Sequence, residues 1–351
     1  MPAVPSCLHE IAKHVDARIE ALLNAEVERW GNLDTDLGEP LAALRELVLA
    51  GGKRLRPAFC HWGYVGAGGD SDDPMVVDAG AALELLHTFA LVHDDIMDDS
   101  ARRRGLPTIH TTFEDRHRSE GWRGEGRRFG EGVAILMGDL SFVYADLLLT
   151  AAPADAIAVF TELRLEVNIG QYLDLLGTAR GDASVEQARR ICQYKSGKYT
   201  IERPLHLGAA LAGRLDELAD QLSAYGSPLG EAFQLRDDLL GAFGDEALTG
   251  KPVGEDLREG KPTALSAMAS AAAVGQSAQL LTNRLGAADL TADEVAQIQE
   301  VFEDTGARRR VEEAVERLTA EALGALDAID LAGGAKDELV ELALFVAGRN
   351  F

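Results

Sequence analysis

The chain has 351 residues, 46% of them hydrophobic, which is enough for one large domain or two ordinary ones and too apolar for a disordered protein. Asp and Glu outnumber Lys and Arg 58 to 34, and the net charge of −24 argues against a general nucleic-acid binder and against an anionic membrane surface as the main partner. Cys7, Cys60 and Cys192 form no zinc-ligand or CxxC spacing, and no uninterrupted apolar run reaches membrane-spanning length, so a reduced, cytoplasmic protein without stable membrane insertion is expected.

In chain order, "LHEIAKHVDARIEALLNAEVERW" (8–30) predicts a first amphipathic helix and "LAALRELVLA" (41–50) a second, stopped by Gly51-Gly52. Pro74 suits the first turn of a long apolar helix that reaches about Asp98. The charged, Gly-rich stretch 114–132 predicts an exposed loop, and the nearly all-apolar stretch 132–151 a core helix. Pro153 opens another helix, through "VNIGQYLDLLGTA". A helix over 184–212 is predicted to be kinked or divided at Pro204. Further helices are predicted over 215–243, 262–275, 291–303, 307–330 and 335–348, with a second charged loop at 244–261. No linker, repeat or alternating strand pattern divides the chain, so it reads as a single all-α domain over 1–351.

Residues 92–99, "VHDDIMDD", follow an apolar run directly. Positions four apart on a helix lie about 6 Å apart along the axis, so Asp94 and Asp98 share one stripe and Asp95 and Asp99 its neighbour. Two bare carboxylates at that separation repel by roughly 3 kcal/mol at an effective dielectric of about 20. A hard divalent cation such as Mg²⁺ reverses the sign, and Mg²⁺ typically combines one or two protein carboxylates with waters and phosphate oxygens. The alternative is a solvated acidic helix end, which the preceding apolar run disfavours. "FQLRDDLLGAFGD" (233–245) places a second pair, Asp237 and Asp238, on an apolar helix. Basic clusters stand at Lys53, Arg54 and Arg56 and at 102–104, and Arg is suited to bidentate phosphate recognition. Acidic pairs flanked by such clusters point to a diphosphate held between metal ions and cations.

These motifs resemble, in order, those of the trans-isoprenyl diphosphate synthases, the polyprenyl synthetase family. "GGKRLRP" matches its GKxxRP, "DDIMDDSARRRG" its DDxxDxxxxRRG and "FQLRDD" its FQxxDD. "YKSGKY" stands where the family has a Lys-Thr pair, and "GKPVGEDLREGK" resembles its Lys-rich loop, so the resemblance covers residues 51–261. It implies the isoprenoid synthase fold, an all-α bundle of about ten or more helices around a central prenyl-chain cavity, and a homodimer. It also implies a Mg²⁺-dependent prenyltransferase that joins isopentenyl diphosphate to an allylic diphosphate.

Carried over by the resemblance, Lys53, Arg56, His87 and Arg104 hold the diphosphate of isopentenyl diphosphate. Asp94, Asp98 and Asp237, helped by Asp95 and Asp238, ligate Mg²⁺, three ions per active site, bridging to the allylic diphosphate, while Asp99 is left to solvent. Arg103, Lys195, Lys251 and Lys261 supply positive charge to that group, and Ser196, in place of the family's Thr, keeps a hydroxyl there. Gln171, Asp174 and Gln234 are expected around metals, waters or substrate. Gly241 stands where the family has a third Asp, and activity is expected to survive because Asp237 remains. Phe89, five residues before Asp94, with the small Ala90 after it, resembles the chain-pocket floor of geranylgeranyl diphosphate synthases. A mainly twenty-carbon product is expected, with fifteen carbons as the alternative. A class I terpene cyclase and a non-catalytic synthase subunit are the competing readings; the cyclase fits poorly, because no Ser/Glu second metal motif accompanies the first.

Overall fold

The computed structural model describes residues 4–181, 184–244, 254–287 and 289–348, and its regular structure is helical apart from one two-stranded hairpin among them. Its contacts divide into two compact units, one formed by residues 6–61 and 70–153, the other chiefly by 62–69 and the chain from 154 onward.

In the first unit, α1 (Ser6–Gly31) buries Leu8, Ile11, Val15, Ile19 and Leu23, spaced three or four apart along one stripe. α2 (Thr35–Leu49) begins well before its apolar run because the Asp34 side chain caps it, accepting from Asp36 N at 3.0 Å. α3 (Leu55–Gly66) starts within the "GGKRLRP" motif, a helix the sequence reading did not anticipate. α4 (Pro74–Met97) is fixed at its start by Asp73, which accepts from Met75 N at 2.8 Å, and by Pro74 in the first turn. By length and composition α4 could cross a membrane, but residues 79–86 are all buried in the fold, which is what that composition serves.

The loop expected over 114–132 is largely helical: α5 (Ile109–Ser119) and α6 (Gly126–Leu148) leave only six residues between them. The charges that imitated a loop are partners one helical turn apart, Arg118 with Glu114 at 2.7 Å and Arg127 with Glu131 at 2.7 Å. His117, Trp122 and Phe129 pack edge to face or tilted over the connection.

In the second unit, α7 (Ala154–Arg180) is followed by α8 (Val185–Ile191), a π-helical segment (Cys192–Glu202) and α9 (Arg203–Leu211). Pro204 falls in the first turn of α9, so the division expected there is real, and it takes the form of a wide helix upstream of the proline. α10 (Leu215–Phe243) crosses the π segment closely: a Cβ on Gly230 would stand 2.6 Å from the carbonyl oxygen of Gly197. Of the expected loop at 244–261, residues 245–253 lie outside the described part. Glu255–Glu259 form one helical turn, α11, between Gly254 and Gly260, both left-handed. Leu239, Leu257, Leu265, Ile298, Phe302, Val311 and Val315 make a shared core, each buried side chain worth about 1.5–3 kcal/mol.

Candidate functional site

The C-terminal end of α4 and the basic turns around it carry one group of candidate residues. Residues 102–107 make the hairpin, with Arg103 paired to Leu106 and Arg102 to Pro107. Its two central residues, Arg104 and Gly105, both have positive φ (52° and 78°), the geometry of a two-residue turn that matches strand twist. The turn sends neighbouring arginines to different tasks. Arg103 donates to Asp95 Oδ1, while Arg104 Nη1 donates to the carbonyls of Leu47 and Val48 at 3.3 and 3.4 Å.

Arg54 also has positive φ (49°) and only 1% side-chain exposure. It donates to Glu84 Oε2 at 2.6 Å, Asp16 Oδ1 at 2.8 Å and Val48 O at 2.8 Å. Glu84 lies inside the apolar run of α4, so this pairing explains a buried carboxylate and ties the "GGKRLRP" turn to α1, α2 and α4. Lys53 on the same turn is exposed, and Arg56 is partly buried.

His87 sits two turns before Asp94 on α4. Burial, then the guanidiniums of Arg56, Arg104, Arg103 and Arg54, hold its pKa well below the usual histidine value, so the ring is neutral at pH 7. Burial, then repulsion by Arg54, Arg56 and Arg103, lowers Arg104 as well, against the pull of Glu84. Positive charge from Arg56, Arg104, Arg103 and Arg54 therefore acts on the His87 ring, although Arg54 and Arg103 are each paired with carboxylates, and a site so charged favours an anion.

The four carboxylates of the first acidic motif have different surroundings. Asp95 is buried and its Oδ1 is taken by Arg103, which distinguishes it from Asp94 and Asp98, its partly buried neighbours. Asp99 is exposed and 3.5 Å from Arg127. Phe89 contacts Phe142 and His93 edge to face, with centroids 4.9 and 4.7 Å apart, so its ring is braced on two sides.

A second group of candidate residues lies in the other unit. The π segment carries Lys195 and Ser196, and Lys195 Nζ donates to the buried Asp174 of α7 at 2.5 Å. Gln171 stands one turn earlier on α7, partly buried. On α10, Gln234 donates to Asp238 Oδ1 at 2.8 Å. Burial raises the Asp238 carboxyl to about 7, opposed by the Gln234 hydrogen bond and reinforced by the charges of Asp256 and Asp237. Lys261 pairs with Glu259 at 2.6 Å and lies 3.9 Å from Asp256. Lys251 is outside the described residues.

The donors suit Mg²⁺ in kind, since all are hard carboxylate oxygens, and the smaller part of the rise at Asp238 that comes from the charges of Asp256 and Asp237, after burial, is what a divalent cation would relieve. Among the described residues no three His, Cys, Asp or Glu side chains converge into a ready-made cage. A cation that takes most of its ligands from water and phosphate needs none. Sequence reasoning missed the pairing of Arg54 with Glu84 and Asp16. A carboxylate inside "ALELLH" was the available signal for the first two.

Comparison with known proteins adds the following. Residues 40–303 match the family described as Polyprenyl synthetase. A crystal structure of geranylgeranyl pyrophosphate synthase from Corynebacterium glutamicum, complexed with isoprenyl diphosphate and magnesium, is 38% identical with a TM-score of 0.92, covering 98% of this chain and 99% of that one. The short chain isoprenyl diphosphate synthase of Methanothermobacter thermautotrophicus is 33% identical over 88% of this chain and 90% of its own length. A (2E,6E)-farnesyl diphosphate synthase of Mycobacterium bovis is 30% identical over 85% and 80%.

Proposed function

Because the chain belongs to the polyprenyl synthetase family, we propose that it condenses isopentenyl diphosphate head-to-tail with an allylic diphosphate (dimethylallyl, geranyl or farnesyl), releasing diphosphate. The observation that carries the reading is the positive charge of Arg56, Arg104, Arg103 and Arg54 acting on the buried, neutral His87, two helical turns before the acidic end of α4.

In this reading Lys53, Arg56, Arg104 and His87 bind the diphosphate of isopentenyl diphosphate. Asp94, Asp98, Asp237 and Asp238 are the proposed Mg²⁺ ligands for the allylic diphosphate, and Asp95 holds Arg103 toward it. When bound, Mg²⁺ offsets the negative charge that the leaving diphosphate gains. Arg103, Lys195, Lys251 and Lys261 add fixed positive charge to the same group, with Ser196 and Gln234 as polar contacts. The allylic carbon–oxygen bond breaks, the isopentenyl double bond forms the new carbon–carbon bond, and the proton lost goes to the departing diphosphate. Phe89 is the floor against which chain growth stops, giving mainly the twenty-carbon geranylgeranyl diphosphate. The fifteen-carbon product is the second reading, supported by the farnesyl-synthase relative.

We read residues 1–351 as one catalytic domain working in the cytoplasm, and as a homodimer. Two helices support the dimer: α6 exposes Leu136, Val143 and Leu147, and α7 exposes Leu165, Ile169 and Tyr172, each set repeating at helical spacing. Like faces of this kind suit a second copy of the chain.

Incubation with isopentenyl diphosphate, each allylic primer and Mg²⁺, with products identified by mass, tests the proposal. Extension to twenty carbons is expected. A hydrocarbon product or no turnover overturns it.

A further inference from the structure

Eleven consecutive residues of π-helix are unusual, because that geometry mostly occurs as a single turn, so the segment Cys192–Glu202 must be held from outside. Three successive turns of α7 do so, each differently. Glu166, Gly170 and Asp174 recur every four residues and share one face of that helix over about 12 Å.

Glu166 is buried, and it accepts from Lys198 Nζ at 2.6 Å and from Arg203 Nε and Nη2 at 2.7 and 2.8 Å. Its carboxylate thus grips one residue within the π segment and the first residue of α9. Burial opposes its ionisation, but the hydrogen bonds from Arg203 and Lys198 prevail and hold its pKa below the usual glutamate value. Gly170 offers no side chain, and the Tyr194–Lys195 peptide lies against it: a Cβ there would stand 2.7 Å from both Lys195 Cα and the Tyr194 carbonyl carbon. Asp174 takes the ammonium of Lys195 itself, at 2.5 Å. Lys195 and Lys198 are three positions apart, yet the carboxylates they reach lie eight apart on α7. The segment is therefore pinned at two points, with its backbone seated between them.

We propose that Glu166 and Gly170 are positioning residues for Lys195: one grips Lys198 and Arg203, the other admits the backbone, and together they fix the register of the π segment and the place of the Lys195 ammonium. Both act through Lys195. The inference rests on the reading of Lys195 as a cation of the leaving diphosphate and extends it to residues outside that site.

The test is a double-variant cycle on the full chain, read by steady-state kinetics and by calorimetric titration of inorganic diphosphate with Mg²⁺ present. Glu166→Gln and Gly170→Ala should each lower kcat about tenfold or more and weaken diphosphate binding in step, with KM for isopentenyl diphosphate within about twofold of the parent. In a Lys195→Ala background each substitution should cost less than about twofold in either readout, because the group it places is gone. Equal losses in both backgrounds would mean a general structural role and overturn the proposal, as would parental behaviour of Glu166→Gln. If either variant does not fold, Lys198→Gln, which leaves Arg203 on Glu166, takes its place in the cycle. A parent that makes no prenyl product but keeps the coupling in diphosphate affinity refutes the synthase reading and leaves the positioning intact. Chain extension by the parent with equal losses in both backgrounds does the reverse.

Discussion

Arg103 gives two hydrogen bonds to a single oxygen of Asp95, from Nε at 2.7 Å and Nη2 at 2.5 Å, and its Nη2 lies 3.8 Å from Asp94 Oδ2. Neighbouring aspartates thus differ: Asp95 orients the Arg103 guanidinium, and Asp94 stands beside it at a longer distance. Asp95→Ala should lower kcat about ten- to a hundredfold while Mg²⁺–diphosphate affinity falls less than in Asp94→Ala. Steady-state kinetics and calorimetry on both variants check the split; equal losses of metal affinity would refute it.

Arg54 and Glu84 form a buried pair, with side chains 1% and 3% exposed. Arg54→Met leaves Glu84 without its compensating charge and should cost about 3–5 kcal/mol in urea unfolding. Arg54→Met with Glu84→Leu removes both charges and should recover most of that loss. If the double variant is no more stable than the single, the pair is not the source of the effect.

His206 is held at about 4, first by burial and then by the Arg203 guanidinium. An unfolded histidine titrates near 6.5, so between about 6.5 and 4 the unfolded chain binds a proton that the native state does not. The stability from keeping this ring neutral is complete above that window and declines as pH falls through it, by on the order of 3 kcal/mol in total. His206→Gln should flatten this part of the profile in urea titrations at pH 7 and pH 4.5. An unchanged slope would assign the pH dependence elsewhere.

Phe89→Ala removes the ring braced by Phe142 and His93. The expected outcome is a shift to products longer than twenty carbons, read by mass. Unchanged chain length would remove Phe89 from its role as floor.

Val143→Asp on α6, or Ile169→Asp on α7, places a charge within an exposed apolar stripe. Light scattering should then report a monomer where the parent is a dimer. A parent that is itself monomeric in solution would count against the assembly.

The long helices were legible because spacing and punctuation agreed: Ile11, Val15 and Ile19 along α1, and Asp73-Pro74 at the head of α4. α5 was not, since Glu114 and Arg118 look like loop charges until the helix brings them together. Asp94 and Asp98 could be read from a spacing of four. Arg54, Glu84 and Asp16 meet across 30 and 38 positions, which no local pattern reports. The π segment depends on how closely Gly230 approaches Gly197, a packing contact rather than a propensity. Gly241 reads as a loss in sequence and as an accommodation in space, because Asp256 arrives from fifteen residues away.

The hairpin at 102–107 has a consequence for how this chain tolerates change. Arg103 ends the strand and Arg104 opens the turn, and that difference of place sends them to different partners. Deleting Ser100 or Ala101 would keep the net charge and every arginine. It would nevertheless move Arg104 into the place of Arg103, offering to Asp95 the guanidinium that now serves Leu47 and Val48, whereas inserting a residue there would offer Arg102 instead. The length of this segment therefore decides which arginine meets the acidic motif.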